Sequence, residues 1–171
     1  AVPKERLLIL DLDGTKHSQN DEFWGYDFVL GNLHNFGDRN TLHGSIKALA
    51  DNRYLTEGSE NCVGTGLFME GFFQNPLYYD LAFHTIIQEN KVDLDTWLTD
   101  YAERRYGGNS DNANKAWEIL LNTVYKAELN NLGQGAPESV VNSRPTLEVN
   151  RPASSWGNAV ISYDKNELIN A

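Results

Sequence analysis

The sequence predicts a mixed fold, α/β over residues 1–91 and all-α over residues 92–171, and three observations support that division. In the first half, short apolar runs alternate with helical patterns, the signature of βα units around a mainly parallel sheet. After Asn90 two amphipathic helical patterns follow each other with no strand between them. From Asn130 to Asn158 the chain is rich in Gly, Pro, Ser and Asn, including Pro137, Pro145 and Pro152, and reads as a crossing loop.

The elements follow in order. Leu7–Leu12 and Phe28–Leu33 are apolar runs of strand length, and Leu42 to Asp51 places Leu42, Ile46 and Leu49 at helical spacing. Cys62–Leu67 is a third strand candidate. Asn75-Pro76 opens a helix, because Asn caps free amides and Pro tolerates the first helical position. That helix, to Asn90, sets Tyr78, Leu81, Ala82, Thr85 and Ile86 on one face. Asp93 then caps a helix over Leu94–Tyr106, which Gly107-Gly108 ends. Ser110 caps another over Asn112–Leu129, with Trp117, Leu120, Leu121, Val124 and Tyr125 at i, i+3, i+4, i+7 and i+8. Lys165 to Ala171 is an opening helical turn with no stop signal. A strand so close to the start and a helix so close to the end lead us to expect a fragment of something longer.

The bulk properties narrow the function. At 171 residues, 40% hydrophobic and 11% aromatic, the chain has ample material for a core. A net charge of −10, from 24 acidic against 14 basic residues, argues against nucleic acid or an anionic membrane as partner. A neutral or cationic substrate fits better. The lone Cys62 cannot form an intramolecular disulfide or a Cys-based zinc site and reads as a buried structural thiol. No apolar run approaches the roughly 20 residues that span a bilayer, and Ala1 to Leu8 lacks the features of a signal peptide. His17, His43 and His84 lack partners at metal spacing, so neither a metal nor another cofactor is predicted.

Two stretches bear on chemistry. Glu70 is the single carboxylate of Gly64–Pro76, a small-residue and aromatic loop between a strand's carboxyl end and a helix start. In βα-barrels catalysis gathers at that edge. Leu7 to Thr15, Leu-Leu-Ile-Leu-Asp-Leu-Asp-Gly-Thr, resembles the phosphatase motif of the haloacid-dehalogenase superfamily. That resemblance implies Asp11 as nucleophile, Asp13 as general acid and Mg²⁺ offsetting the phosphate charge. Such chemistry also needs a phosphate-binding Lys and a later acidic pair, and no later strand carries one. The preferred reading is that Asp11 and Asp13 end a strand and satisfy loop amides.

A longer series recurs in order: Leu7–Leu12; Leu-His-Asn-Phe-Gly at Leu33–Gly37; Val-Gly-Thr-Gly, Met-Glu-Gly and Gln-Asn-Pro within Val63–Pro76; and Tyr79-Asp80-Leu81. Val92-Asp93-Leu94-Asp95 with Trp97, Tyr101 to Gly107, Ala116-Trp117, Val124-Tyr125 and Arg144-Pro145 continue it. Together they resemble the α-N-acetylglucosaminidases, glycoside hydrolase family 89, most specifically over Leu33–Asp80. The resemblance implies the last strands of a TIM-like (α/β)₈ catalytic barrel in residues 1–91 and the beginning of an all-α domain in residues 92–171. It implies that Glu70 is the catalytic nucleophile, that Leu33 packs near the sugar, and that His34 and Asn35 shape the pocket floor. On its residue type alone His34 reads as a hydrogen-bonded structural histidine. The general acid/base would lie on an earlier strand outside this sequence, leaving the isolated piece inactive and prone to aggregate through bare sheet edges. The implied partners are a carbohydrate with terminal α-linked N-acetylglucosamine and the remainder of the same polypeptide. The implied home is a secreted bacterial protein or a lysosome.

The chemistry explains the carboxylate. Retention proceeds by two inversions, with two carboxyl groups about 5–5.5 Å apart. In an α-glycoside the acetamido group is cis to the leaving oxygen and cannot attack from behind, so an enzyme carboxylate must do so. Of the tryptophans that could stack on a sugar, helical spacing assigns Trp97 and Trp117 to the core, leaving Trp24 and Trp156. Gly135-Ala136-Pro137 stands where many members carry a His, which puts a sugar contact from the helical domain in doubt. Two other readings remain: the Mg²⁺ phosphatase built on Asp11 and Asp13, and a carbohydrate-binding or structural piece without catalysis.

Overall fold

Three parallel strands, β1 (Ile9–Asp11), β2 (Phe28–Asn32) and β3 (Cys62–Leu67), lie in the order β1-β2-β3. They belong to a computed structural model that describes residues 2–34, 44–51, 59–70, 75–88, 90–126 and 163–170. The register pairs Asp11 with Leu30 and Asn32 with Leu67, so all three carboxyl ends reach one edge. The first strand is shorter than the apolar run that predicts it, because pairing begins only where the Ile9 amide meets the Asp27 carbonyl at 2.9 Å. Gly31 is required where β1 and β2 close together, since a Cβ there would collide with the Asp11 carbonyl. Leu8, Leu10 and Leu12 alternate with Ile9 and Asp11 and are each about half exposed.

Between β1 and β2 the chain forms two short turns that its pattern does not predict, α1 (Lys16–Gln19) and α2 (Asp21–Trp24). The second is wound left-handed: Asp21, Glu22, Phe23 and Trp24 have φ of 47, 49, 53 and 55°. That conformation costs about 1–2 kcal/mol per residue for L-amino acids. Offsetting contacts surround it. Phe23 is buried edge-on against Phe28 at 5.4 Å, Lys4 Nζ donates to the Trp24 carbonyl at 2.9 Å, and Ser59 Oγ donates to Glu22 Oε2 at 2.9 Å.

The remaining helices are α3 (Ile46–Ala50), α4 (Pro76–Ile86), α5 (Leu94–Tyr106), α6 (Asp111–Asn122) and α7 (Lys165–Asn170). The caps expected for α4, α5 and α6 are present. Asn75 accepts from the Tyr78 amide, Asp93 from the Asp95 and Thr96 amides, Ser110 from the Ala113 amide, and Gly107 ends α5 at φ 79°. The helix expected to reach Leu129 stops at Asn122. There Thr123 leaves helical geometry at φ −116°, ψ −90°, and the chain turns Val124 and Tyr125 inward before Lys126 bridges Ser45. Cys62, expected buried, is half-buried at the edge of the small Phe23, Phe28 and Leu30 cluster.

The larger core joins both halves of the chain. Ile46 and Leu49 of α3, Leu77, Tyr78, Tyr79, Leu81 and Ala82 of α4, Trp97, Leu98 and Tyr101 of α5, and Val124 and Tyr125 form one buried cluster. Trp97 takes the core position that its spacing predicts and Trp117 packs against the core partly buried, whereas Trp24 is exposed. Among the described residues no helix is long and apolar enough to cross a membrane.

Burial pushes the hydroxyls of Tyr79 and Tyr125 up to about 12 from the ordinary 10. Both are raised in the fold, so they leave stability independent of pH below about 10. Above that the unfolded chain loses its protons first, and stability falls until about pH 12 by roughly 2–3 kcal/mol per tyrosine. A base titration followed by tyrosinate absorbance is expected to show a late step coinciding with unfolding. Ionisation of every tyrosine near pH 10 in the folded protein would contradict this.

Candidate active site

Parallel strands end on the same side, so the carboxyl edge gathers Asp11, Asn32, Leu33, His34 and the segment from Phe68 to Glu70. The Phe68 amide donates to the Asn32 carbonyl at 3.1 Å, extending the ladder one step beyond β3. Glu70 leaves the sheet two residues later and is exposed. Leu33, one residue past the end of β2, is half-buried. His34 is buried, its ring stacked on Tyr78 with centroids 3.7 Å apart and edge-on to Tyr79 at 6.0 Å. Asn35 and the Gly135-Ala136-Pro137 segment lie outside the described residues.

A hydrogen-bonded layer supports this edge. Tyr78 donates its hydroxyl to Asn32 Oδ1 at 3.0 Å, and Tyr125 donates to Asn75 Oδ1 at 3.1 Å. The same Asn75 oxygen accepts the Tyr78 amide at 3.3 Å. Gly44 lies against all three rings of this layer: a Cβ there would come within 3.0 Å of Tyr78, 3.4 Å of His34 and 3.4 Å of Tyr125. The helical pattern marks Tyr78 and Tyr125 as core residues and misses what their hydroxyls hold. The available signal is that a buried tyrosine needs an acceptor, and the sequence sets asparagines at a strand end and a helix cap.

Asp11 and Asp13 behave as loop acceptors. Asp11 is buried and takes the Lys16 amide at 3.1 and 3.0 Å, the His17 amide at 2.9 Å and His17 Nδ1 at 2.8 Å. Asp13 Oδ1 accepts the Thr15 amide at 3.1 Å and the Thr15 hydroxyl at 2.7 Å. Buried among these loop donors, Asp11 fits an acceptor of backbone amides better than a nucleophile open to a substrate phosphorus. Among the described residues no three His, Cys, Asp or Glu side chains stand close enough to share a metal ion. The amide contacts of Asp11 and Asp13 do not favour the phosphatase reading. Asp11→Asn, which turns an amide nitrogen toward these donors, is expected to cost about 1–3 kcal/mol, measured as a lower unfolding midpoint. Phosphate release from a generic ester that Asp11→Asn abolishes would reverse the assignment.

A hollow of about 720 Å³ opens between α5 and α6, lined by Asp95, Leu98, Asp111, Trp117 and Glu118 among others, and none of the edge residues above contributes to it.

Comparison with known proteins shows the family. The family described as Alpha-N-acetylglucosaminidase (NAGLU) tim-barrel domain matches residues 1–89, and the corresponding C-terminal domain matches residues 97–171. The chain belongs to the α-N-acetylglucosaminidase family, glycoside hydrolase family 89. Human α-N-acetylglucosaminidase is 35% identical over 164 residues, 92% of this chain and 22% of the human protein. A family 89 glycoside hydrolase from Clostridium perfringens, in complex with 2-acetamido-1,2-dideoxynojirmycin, aligns with a TM-score of 0.83 at 35% identity, over 97% of this chain and 19% of that one. A form of the Clostridium protein with two glutamates replaced by glutamine, in complex with its substrate GlcNAc-alpha-1,4-galactose, aligns at a TM-score of 0.80 and 34% identity, over 94% and 18%. The mixed α/β architecture with its small parallel sheet is thus one that α-N-acetylglucosaminidase relatives share. The chain spans about a fifth of their length.

Proposed function

We propose that this chain supplies the closing strands of an (α/β)₈ barrel and the first helices of an all-α domain to a retaining α-N-acetylglucosaminidase, with Glu70 as its nucleophile. The supporting observation is the position of Glu70, at the carboxyl edge of a parallel sheet in a chain of this family. In the first step a Glu70 oxygen bonds to C1 of the sugar, the glycosidic C1–O bond breaks, and the leaving oxygen takes a proton from a second carboxyl on an earlier strand. In the second, water bonds to C1 as Glu70 departs, and the second carboxylate takes the water's proton. The two substituted glutamates of the Clostridium form suit a mechanism with two carboxyl groups.

Two features fit a part of a larger barrel. Leu8, Leu10 and Leu12 present an apolar row to solvent, as expected of strands whose neighbours lie elsewhere in the polypeptide. Exposed as it is, Glu70 lacks the dehydrated surroundings in which a nucleophile works, and earlier strands closing over the edge would supply them. Leu33, His34 and Asn35 then line the sugar pocket. Terminal α-linked N-acetylglucosamine on a glycan or glycosaminoglycan is the proposed substrate, and an extracellular or lysosomal enzyme the proposed host. Glu70→Gln in the complete enzyme tests the reading, with hydrolysis of an aryl α-N-acetylglucosaminide as the readout.

A further inference from the structure

We propose that Phe68 is a specificity-determining residue, its ring the apolar wall that meets the 2-acyl group of the sugar attacked by Glu70; the proposal rests on Glu70 being the nucleophile. The two faces of the sheet differ. One is covered: a crevice behind it is lined by Leu30, Asn32, Thr65 and Leu67 of the sheet, by Leu49 of α3 and by Ala82 of α4. The other carries Leu10, half exposed, whose partner in the register is Val29. Phe68 lies on this second face. A Cβ placed on Gly66 would stand 3.2 Å from both Val29 Cγ1 and the Phe68 ring, so the ring folds back over Gly66 beside Val29. With Thr65 and Leu67 toward the helices, alternation sets Gly64, Gly66 and Phe68 in a row on the open side.

In a closed barrel such a face turns inward, and substrates rest at its carboxyl edge. Phe68 stands at that edge. Its amide extends the ladder to the Asn32 carbonyl at 3.1 Å, and Glu70 follows two residues later, the spacing at which an extended chain returns to the same face about 6.6 Å further on. The ring is only half-buried, and beside it the face is open, since a Cβ on Gly64 would meet nothing within 4 Å. A benzyl ring offers no hydrogen bond, so a sugar hydroxyl pressed against it would lose its water without compensation. On an amino sugar the apolar group near the reacting carbon is the acyl methyl on the C2 nitrogen, and C2 is bonded to C1. With C1 at a Glu70 oxygen, the acyl arm reaches one alternation step back along β3, into the trough that the glycines leave and the Phe68 ring bounds.

The experiment uses the complete enzyme and reads inhibition constants for 2-acetamido-1,2-dideoxynojirmycin, for the same iminosugar without the acetamido group, and for its 2-butanamido congener. In the wild type the butanamido compound should bind about tenfold more weakly than the acetamido one, because the ring limits the length of the acyl arm. Phe68→Ala is expected to weaken the acetamido compound by about tenfold and to change the compound without an acyl arm by less than about twofold. The butanamido compound should gain from the same substitution, since the space vacated by the ring takes the longer arm. Phe68→Leu, which keeps an apolar wall, should retain most of the acetamido affinity. Equal shifts for all three compounds under Phe68→Ala would mean that the ring only fills the barrel and would overturn the proposal, as would no shift at all. Should Phe68→Ala fail to fold, the wild-type series decides, and a butanamido compound that binds as tightly as the acetamido one overturns the proposal. Near-wild-type turnover by Glu70→Gln would instead remove the nucleophile assignment and this proposal with it, whereas unaltered acyl selectivity in Phe68→Ala beside an inactive Glu70→Gln removes the proposal alone.

Discussion

Glu70→Gln in the complete enzyme is expected to lower kcat/KM for an aryl α-N-acetylglucosaminide by about three decades or more, near 4 kcal/mol of transition-state stabilisation. The substitution is nearly isosteric, so the sheet edge should stay in place and KM should move little. What is lost is the anionic oxygen. A neutral amide cannot form the acyl-type glycosyl ester, nor can it offset the positive charge that develops at C1 as the leaving bond stretches. Turnover near wild type would remove Glu70 from the mechanism. Sugar binding that survives Glu70→Ala, in a protein with no hydrolysis to lose, would favour a carbohydrate-binding piece instead.

Trp97→Ala is expected to cost about 3–5 kcal/mol of stability, the range for truncating a large buried aromatic. Trp97 is 5% exposed and stacks on Tyr101 with centroids 5.3 Å apart, and Tyr101 in turn meets the edge of Trp117 at 5.4 Å. Arg105 caps the outer face of Tyr101 at 5.9 Å. Removing the indole takes the first member from this row and leaves a void that α4 and α5, both pinned by side-chain caps, cannot easily close. The measurement is the midpoint of urea unfolding for the complete enzyme followed by loss of helical signal. Trp97→Phe, which preserves a stacking partner, should lose less than half as much. Equal, small losses for the two would contradict the account of this core.

Where local signals decide the structure, the sequence is legible. α5 runs from Leu94 to Tyr106 as expected because Asp93 and Gly107 mark its ends within a residue. The role of Asp11 and Asp13 as amide acceptors is equally local, although the pairing of Asp11 with His17 needed the turn geometry of α1 to bring them together. Distant partners defeat the same method. Periodicity correctly marks Val124 and Tyr125 as buried but carries them on a continuing helix, whereas Tyr125 is placed by an asparagine fifty residues away. Nothing in Asp21-Glu22-Phe23-Trp24 suggests left-handed backbone, since no glycine licenses it; the contacts of Lys4 and Ser59 do. At the candidate site, the position of Glu70 follows from a strand, a loop and a helix cap in sequence. Which asparagine each tyrosine behind it meets is decided by tertiary packing.

The shared core across residue 91 has a consequence for inheritance. Ile46, Leu49 and Leu81 interlock with Trp97, Leu98 and Val124, so a recombination joint in the Asn90–Asp93 segment would ask shapes selected in separate lineages to mesh at once. Two segments matched by separate family models thus share one core, and viable chimeras should place their seams outside it.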